Sequence, residues 1–163
     1  MKLSDILNPE RIEVQADAAS KKRALELLSS KLAEGRKALS STQVFDSLLA
    51  RERLSSTGLG KGIALPHGRM GGIDQASCAF VQLREGIDFD SIDRRPVDLL
   101  CGLLVPEEST EEHLQILSAL AEMLRDETFC KRLREASSRE ELYRLLTHYP
   151  LRPPKKGDRP PPH

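Results

Sequence analysis

Two long, mainly apolar runs, Ala76 to Leu83 and Val97 to Val105, constrain what this chain can fold into more than any other feature. Turn residues bound them, with Gly86 after the first and Pro106 after the second. A segment too apolar to offer one wet and one dry face reads as a central strand covered on both sides. The remaining sequence supplies the covering helices. From Ser20 to Leu32, residues Ala24, Leu25, Leu28 and Leu32 recur at helical spacing, with Lys21, Lys22 and Lys31 on the solvent side and Gly35 placed to close the helix. Ser40 and Gln43 form a capping box for a second helix, whose buried stripe is Val44, Phe45, Leu48 and Leu49. Ser109 and Glu112 do the same for a longer one that turns His113, Ile116, Leu117, Leu120 and Leu124 inward. Two shorter helices follow, one around Glu127 to Glu135 and one opening at Ser138. Residues 3–7 read as a helical turn, and Ile12 to Val14 and Ile63 to Leu65 as short strands. Helices interleaved with strands predict a single α/β domain: a mixed β-sheet of about five strands flanked by helices on both faces.

At 163 residues the chain is long enough to bury a real core in one domain. Lysine plus arginine equals aspartate plus glutamate, 25 of each, so no global field steers it toward nucleic acid or an anionic membrane. With no Trp, four Phe and two Tyr, it also lacks the stacking platforms that bases require. No apolar run approaches the ~18 residues of a bilayer span, and Met1-Lys2-Leu3-Ser4-Asp5 lacks the pattern of a secretory signal. Cys78, Cys101 and Cys130 are widely spaced, odd in number and set in apolar patterns, which predicts reduced core residues of a cytoplasmic protein. Residues 150–163 hold six of the ten prolines and almost nothing apolar. The domain is therefore expected over residues 1–148, with 149–163 a disordered Pro-rich tail.

Chemistry concentrates between Arg51 and Arg69. Gly58, Gly60, Gly62 and Gly68, the hydroxyls of Ser56 and Thr57, and Arg51, Arg53 and Arg69 surround one histidine, His67, held between Pro66 and Gly68. A phosphoryl acceptor needs a lone pair, and histidine is the side chain whose neutral form is cheapest near cellular pH. The transferring group is stabilised by positioned donors and positive charge. Ser56, Thr57 and the amides near Gly58 offer donors, glycines allow close backbone approach, and Arg51 or Arg69 offers charge-assisted hydrogen bonds. Taken singly these signs are poor, because Gly58-Leu59-Gly60-Lys61-Gly62 is neither a Walker motif nor a dinucleotide fingerprint.

A second histidine adds weight. His113 falls in the first turn of the capped helix, where the positive end of the helix dipole favours a neutral ring able to donate to a phosphate on His67. Zinc is not expected, since no third ligand has metal-site spacing, and a serine-hydrolase elbow is absent.

Ser56-Thr57-Gly58, Gly60 and Gly62-Ile63-Ala64-Leu65-Pro66-His67-Gly68-Arg69 resemble the active-site signature of fructose/mannitol-type enzyme IIA domains of the bacterial phosphotransferase system. Arg51-Glu52, Gly86-Ile87-Asp88-Phe89, Pro96-Val97-Asp98 and His113-Leu114-Gln115-Ile116-Leu117 fit the same pattern, so the likeness spans roughly residues 1–148, with the nitrogen-type member as best match. The resemblance implies that His67 is phosphorylated at Nε2, that His113 is the second active-site histidine and Arg51 the active-site arginine, and that Ser56, Thr57, Gly58 and Gly68 line the phosphate. Arg69 is expected on the partner surface. It implies a histidine-phosphorylated, HPr-like carrier of the nitrogen branch as donor, with neither cofactor nor metal. Targets read by phosphorylation state, such as a potassium transporter or a sensor kinase, follow from the same likeness. Two rival readings are a sugar-specific IIA component passing phosphate to a IIB domain, and a binding module without turnover. All the transfer readings expect the His67 ring to be uncovered and turned toward His113.

Overall fold

In the computed structural model, which describes residues 2–108 and 111–151, six strands form one mixed sheet. The two apolar stretches become its centre: β5, Ser77–Ile87, pairs antiparallel with β6, Val97–Pro106. β1, Ile12–Ala16, runs parallel to β5 on one side. On the other side of β6 lie β3, Ile63–Ala64, and β4, His67–Met70, both parallel to it. β2, Gly58–Gly60, closes that edge antiparallel to β3.

β3 and β4 read β6 at one constant offset: Ile63 faces Leu99, Ala64 faces Leu100, His67 faces Leu103 and Met70 faces Pro106. They are one strand broken at Leu65-Pro66. Within the break, Pro66 still accepts from the Leu103 amide at 3.0 Å, but the Leu65 amide turns away to Thr57 O at 3.0 Å. Counted as one strand, they give the expected five.

Five helices cover the sheet: α1, Lys21–Ala33; α2, Ser41–Glu52; α3, Glu111–Leu124; α4, Glu127–Glu135; and α5, Arg139–His148. Alternation along β6 sorts the core into two layers. Leu99, Cys101, Leu103 and Val105 join Ile116, Leu117 and Leu120 of α3 and Leu133 of α4. Leu100 and Leu104 join Leu25, Leu28 and Leu32 of α1 and Val44 and Leu48 of α2. α1 lies so close that a Cβ on Gly102 would stand 2.8 Å from Leu28 Cγ.

Ser20, Ser40, Asp126 and Ser138 cap helices by accepting from the amide three residues on. The box expected at Ser109 lies outside the described residues, as do residues 152–163 of the expected tail. Tyr149, where that tail was expected to begin, packs against the fold, its ring 4.5 Å from that of Phe129 and its hydroxyl donating to Asp126 Oδ2 at 3.1 Å. All three cysteines are buried free thiols. Two lysines expected in solvent are turned in instead. Lys31 pairs with Glu13 at 2.8 Å, and Lys21 reaches Glu52 at 2.9 Å while its ammonium sits 4.7 Å from the centre of the Phe89 ring. Their four-carbon stems cover apolar surface while the charge finds a partner.

Candidate functional site

His67 opens β4 directly after the break at Leu65-Pro66. Its ring folds back so that Nδ1 lies 2.9 Å from Leu65 O. A carbonyl oxygen only accepts, so the ring proton belongs on Nδ1, and the neutral ring carries its lone pair on Nε2. The expectation of an uncovered ring is corrected here. His67 is only 6% exposed, and less than 1 Å² of Nε2 reaches solvent. The cause is its place in the sheet beside β6, on the face that α3 covers. A cavity of about 370 Å³ adjoins the ring, lined by Ser47, Ala50, Arg51, Leu54, Gly68 and Arg69.

Arg51, in the last turn of α2, lines this cavity, is buried, and donates from Nη1 to Ser55 O at 2.8 Å. A cation there also complements the negative end of the helix. Arg69 is exposed at the cavity mouth, its carbonyl accepting from Ser47 Oγ at 2.8 Å. His113 is half-buried in the first turn of α3. Strand alternation puts His67 on the same face as Ile63 and Leu65, which is the face that α3 covers. The Glu107 amide bonds Met70 O at 2.8 Å, so β4 and the segment leading to α3 leave the sheet together.

Three residues expected to line a phosphate are otherwise engaged. Thr57 gives its amide to Glu52 Oε1 at 3.0 Å and its hydroxyl to Glu52 Oε2 at 2.6 Å. Ser56 Oγ donates to Phe89 O at 2.9 Å and accepts the Gly58 amide at 3.1 Å. Their donors fix the backbone that leads to His67. Gly68 is required for packing: a Cβ there would lie 2.4 Å from Ser47 Oγ. Sequence reasoning gave no role to Glu52, which is buried among these groups although it carries a charge. The available signal was its place one residue after Arg51, at the end of an amphipathic helix, facing inward.

Among the described residues no three His, Cys, Asp or Glu side chains lie together as a metal site, and no helix is long and apolar enough to cross a membrane.

The family model for the phosphoenolpyruvate-dependent sugar phosphotransferase system, EIIA 2, matches residues 5–149. A nitrogen regulatory protein from Klebsiella oxytoca is 49% identical over 148 residues, covering 90% of this chain and 91% of that protein. The crystal structure of nitrogen regulatory protein IIA-Ntr from Neisseria meningitidis superposes with a TM-score of 0.84 at 43% identity, covering 89% of this chain and 99% of that one. The mannitol enzyme IIA of Escherichia coli, solved with phosphorylated mannitol enzyme IIB, gives 0.69 at 28% identity, covering 86% and 96%. The likeness thus covers about nine-tenths of the chain, and the chain belongs to the EIIA 2 family of the phosphoenolpyruvate-dependent sugar phosphotransferase system.

Proposed function

We propose that this protein is a nitrogen-regulatory phosphocarrier. Nε2 of His67 accepts a phosphoryl group from the phosphohistidine of an HPr-like carrier of the nitrogen branch, and regulatory proteins read the charge that results. The supporting observation is the 2.9 Å contact between Nδ1 and Leu65 O, which leaves the lone pair on Nε2. Transfer is then a displacement at phosphorus. Nε2 supplies the electron pair of the new P–N bond, the donor's P–N bond breaks, and that pair returns to the donor ring. The proton stays on Nδ1, and the Leu65 carbonyl offsets the positive character the ring gains. Arg51 and Arg69 flank the cavity through which the phosphoryl group approaches and meet its oxygens. His113 donates a hydrogen bond to the same group. Because Nε2 is covered, transfer requires the ring to become accessible as the donor docks.

The added phosphate carries up to about two negative charges, enough to create or block a docking surface. Incubation with phosphorylated donor and phosphoenolpyruvate-derived label tests the assignment: His67→Ala loses the label, which in the native protein is acid-labile, and label surviving that substitution refutes it. His113→Ala slows transfer and leaves residual labelling, whereas unchanged kinetics make His113 a core residue.

The likeness to mannitol enzyme IIA in complex with a phosphorylated IIB favours a second reading, a sugar-pathway IIA component. The greater identity and closer superposition with nitrogen regulatory proteins weigh for the first. Rapid passage of phosphate from this chain to a mannitol- or fructose-type IIB reverses that order.

A further inference from the structure

The acceptor histidine is not held by its immediate neighbours alone. The Nδ1–H of His67 bonds Leu65 O at 2.9 Å. Leu65 sits in the break of the strand, so β6 does not fix its amide. That amide instead bonds Thr57 O at 3.0 Å. Thr57 is gripped twice by one carboxylate, through its amide at 3.0 Å and its hydroxyl at 2.6 Å, and the carboxylate is that of Glu52. Lys21, from the first turn of α1, holds the carboxylate at 2.9 Å and lies over the Phe89 ring. Glu52 has a side chain only 3% exposed, so charge and both oxygens are engaged inside the protein.

A buried carboxylate is expensive unless paired and hydrogen-bonded. We infer that Glu52 is a positioning residue for phosphoryl transfer: through Thr57 and the Leu65 peptide it sets the carbonyl that selects the Nδ1–H tautomer of His67 and leaves Nε2 nucleophilic. The inference rests on His67 being the acceptor. The link is geometric rather than electronic. The Thr57 amide and the Thr57 carbonyl belong to different peptide groups, as do the Leu65 amide and the Leu65 carbonyl, so no continuous polarised chain joins carboxylate and ring. What Glu52 transmits is the placement of residue 57, hence of Leu65, hence of one oxygen atom. Ser56, bonded to Phe89 O, fixes the same loop from its other side.

Nitrogen-15 spectra of the imidazole, read alongside single-turnover transfer from the phosphorylated donor, test this. Wild type is expected to show the Nδ1–H signature. Glu52→Ala is expected to shift the ring toward the Nε2–H form and lower the transfer rate constant by roughly 10–100-fold, as a misplaced reacting group does. Its half-saturating donor concentration should stay unchanged, because Glu52 presents nothing to a partner. Glu52→Gln keeps an oxygen for the Thr57 amide and is expected to restore most of both signals. Should Glu52→Ala not fold, Thr57→Val removes only the 2.6 Å bond and is expected to shift the tautomer part-way. A folded Glu52→Ala, or a Thr57→Val standing in for it, with native spectra and native transfer overturns the inference. Label persisting on His67→Ala defeats the acceptor assignment instead, and the spectra still report on Glu52 independently.

Discussion

A methyl group at position 68 illustrates how tightly the site is fitted at the scale of single residues. It would lie 2.4 Å from Ser47 Oγ and 3.2 Å from the Ser47 carbonyl carbon and oxygen. The hydroxyl can rotate away, but the helix backbone cannot. Gly68→Ala is therefore expected to destabilise the protein by about 1–3 kcal/mol. Adding Ser47→Ala should recover only part of that loss, and denaturant titration of the single and double variants measures both effects. Sequence reasoning found Gly68 by its proximity to His67 and gave it a phosphate, whereas its immediate task is to let α2 approach β4. Thr57 was found in the same way and has the same kind of correction, since its donors face Glu52. His67 and Arg51 stood out in the sequence because the chemistry expected of them is local, and the structure sets both on one cavity. Glu52 and Lys21 were not, because their meeting joins residues 31 positions apart across two helices and leaves no periodic trace. Gln82, within the first apolar stretch, escaped notice for a like reason. Its amide is consumed by Leu133 O at 2.8 Å and Ala136 O at 2.9 Å, two carbonyls at the end of α4.

Helices announced themselves at the scale of elements because their start signals are chemical and local. Ser20, Ser40 and Ser138 each stand three residues before the amide they receive. Asp126 does this for α4, accepting the Phe129 amide on Oδ1 at 3.0 Å, and its other oxygen accepts the Tyr149 hydroxyl at 3.1 Å. Asp126→Ala thus removes a cap together with the hydrogen bond that ties the Tyr149 hydroxyl to α4. An N-cap alone contributes about 1 kcal/mol, so Asp126→Ala should cost more than Ser20→Ala, about 2 kcal/mol against about 1. Thermal or urea unfolding of the two variants side by side checks the ranking. The short strands β2 and β4 were invisible beforehand. Gly-Leu-Gly and His-Gly-Arg-Met carry no alternation of their own, and they are strands only because β3 and β6 pair with them.

Over the whole molecule, the sorting of odd and even residues of β6 into two layers followed from the two apolar stretches, and so did the burial of Cys78 and Cys101. The Cys78 and Cys101 sulfurs lie 3.7 Å apart. The Cys101 thiol is pushed up by its hydrogen bond with Cys78 and by burial, and burial pushes Cys130 up to about 11. Cys101 and Cys130 therefore favour the fold in their neutral forms. That stability is complete below the ordinary thiol value of about 8.5. Above it the unfolded chain ionises first, and the contribution drains away as pH climbs toward the folded value. Urea midpoints are expected to fall between about pH 8.5 and 11, with Cys130→Ala flattening the decline, and alkylating reagents should leave the folded protein untouched at pH 8.

The strand that skips two residues and then rejoins its neighbour in step acts as a gauge for the ring it carries. Lengthening or shortening the chain by one residue at Leu65-Pro66 would oblige either the stretch before it or the stretch after it to slip against β6. A one-place slip of the latter turns the imidazole to the opposite side of the sheet. A change of chain length here therefore moves the reacting ring itself, whereas an exchange of side chain nearby leaves its register intact.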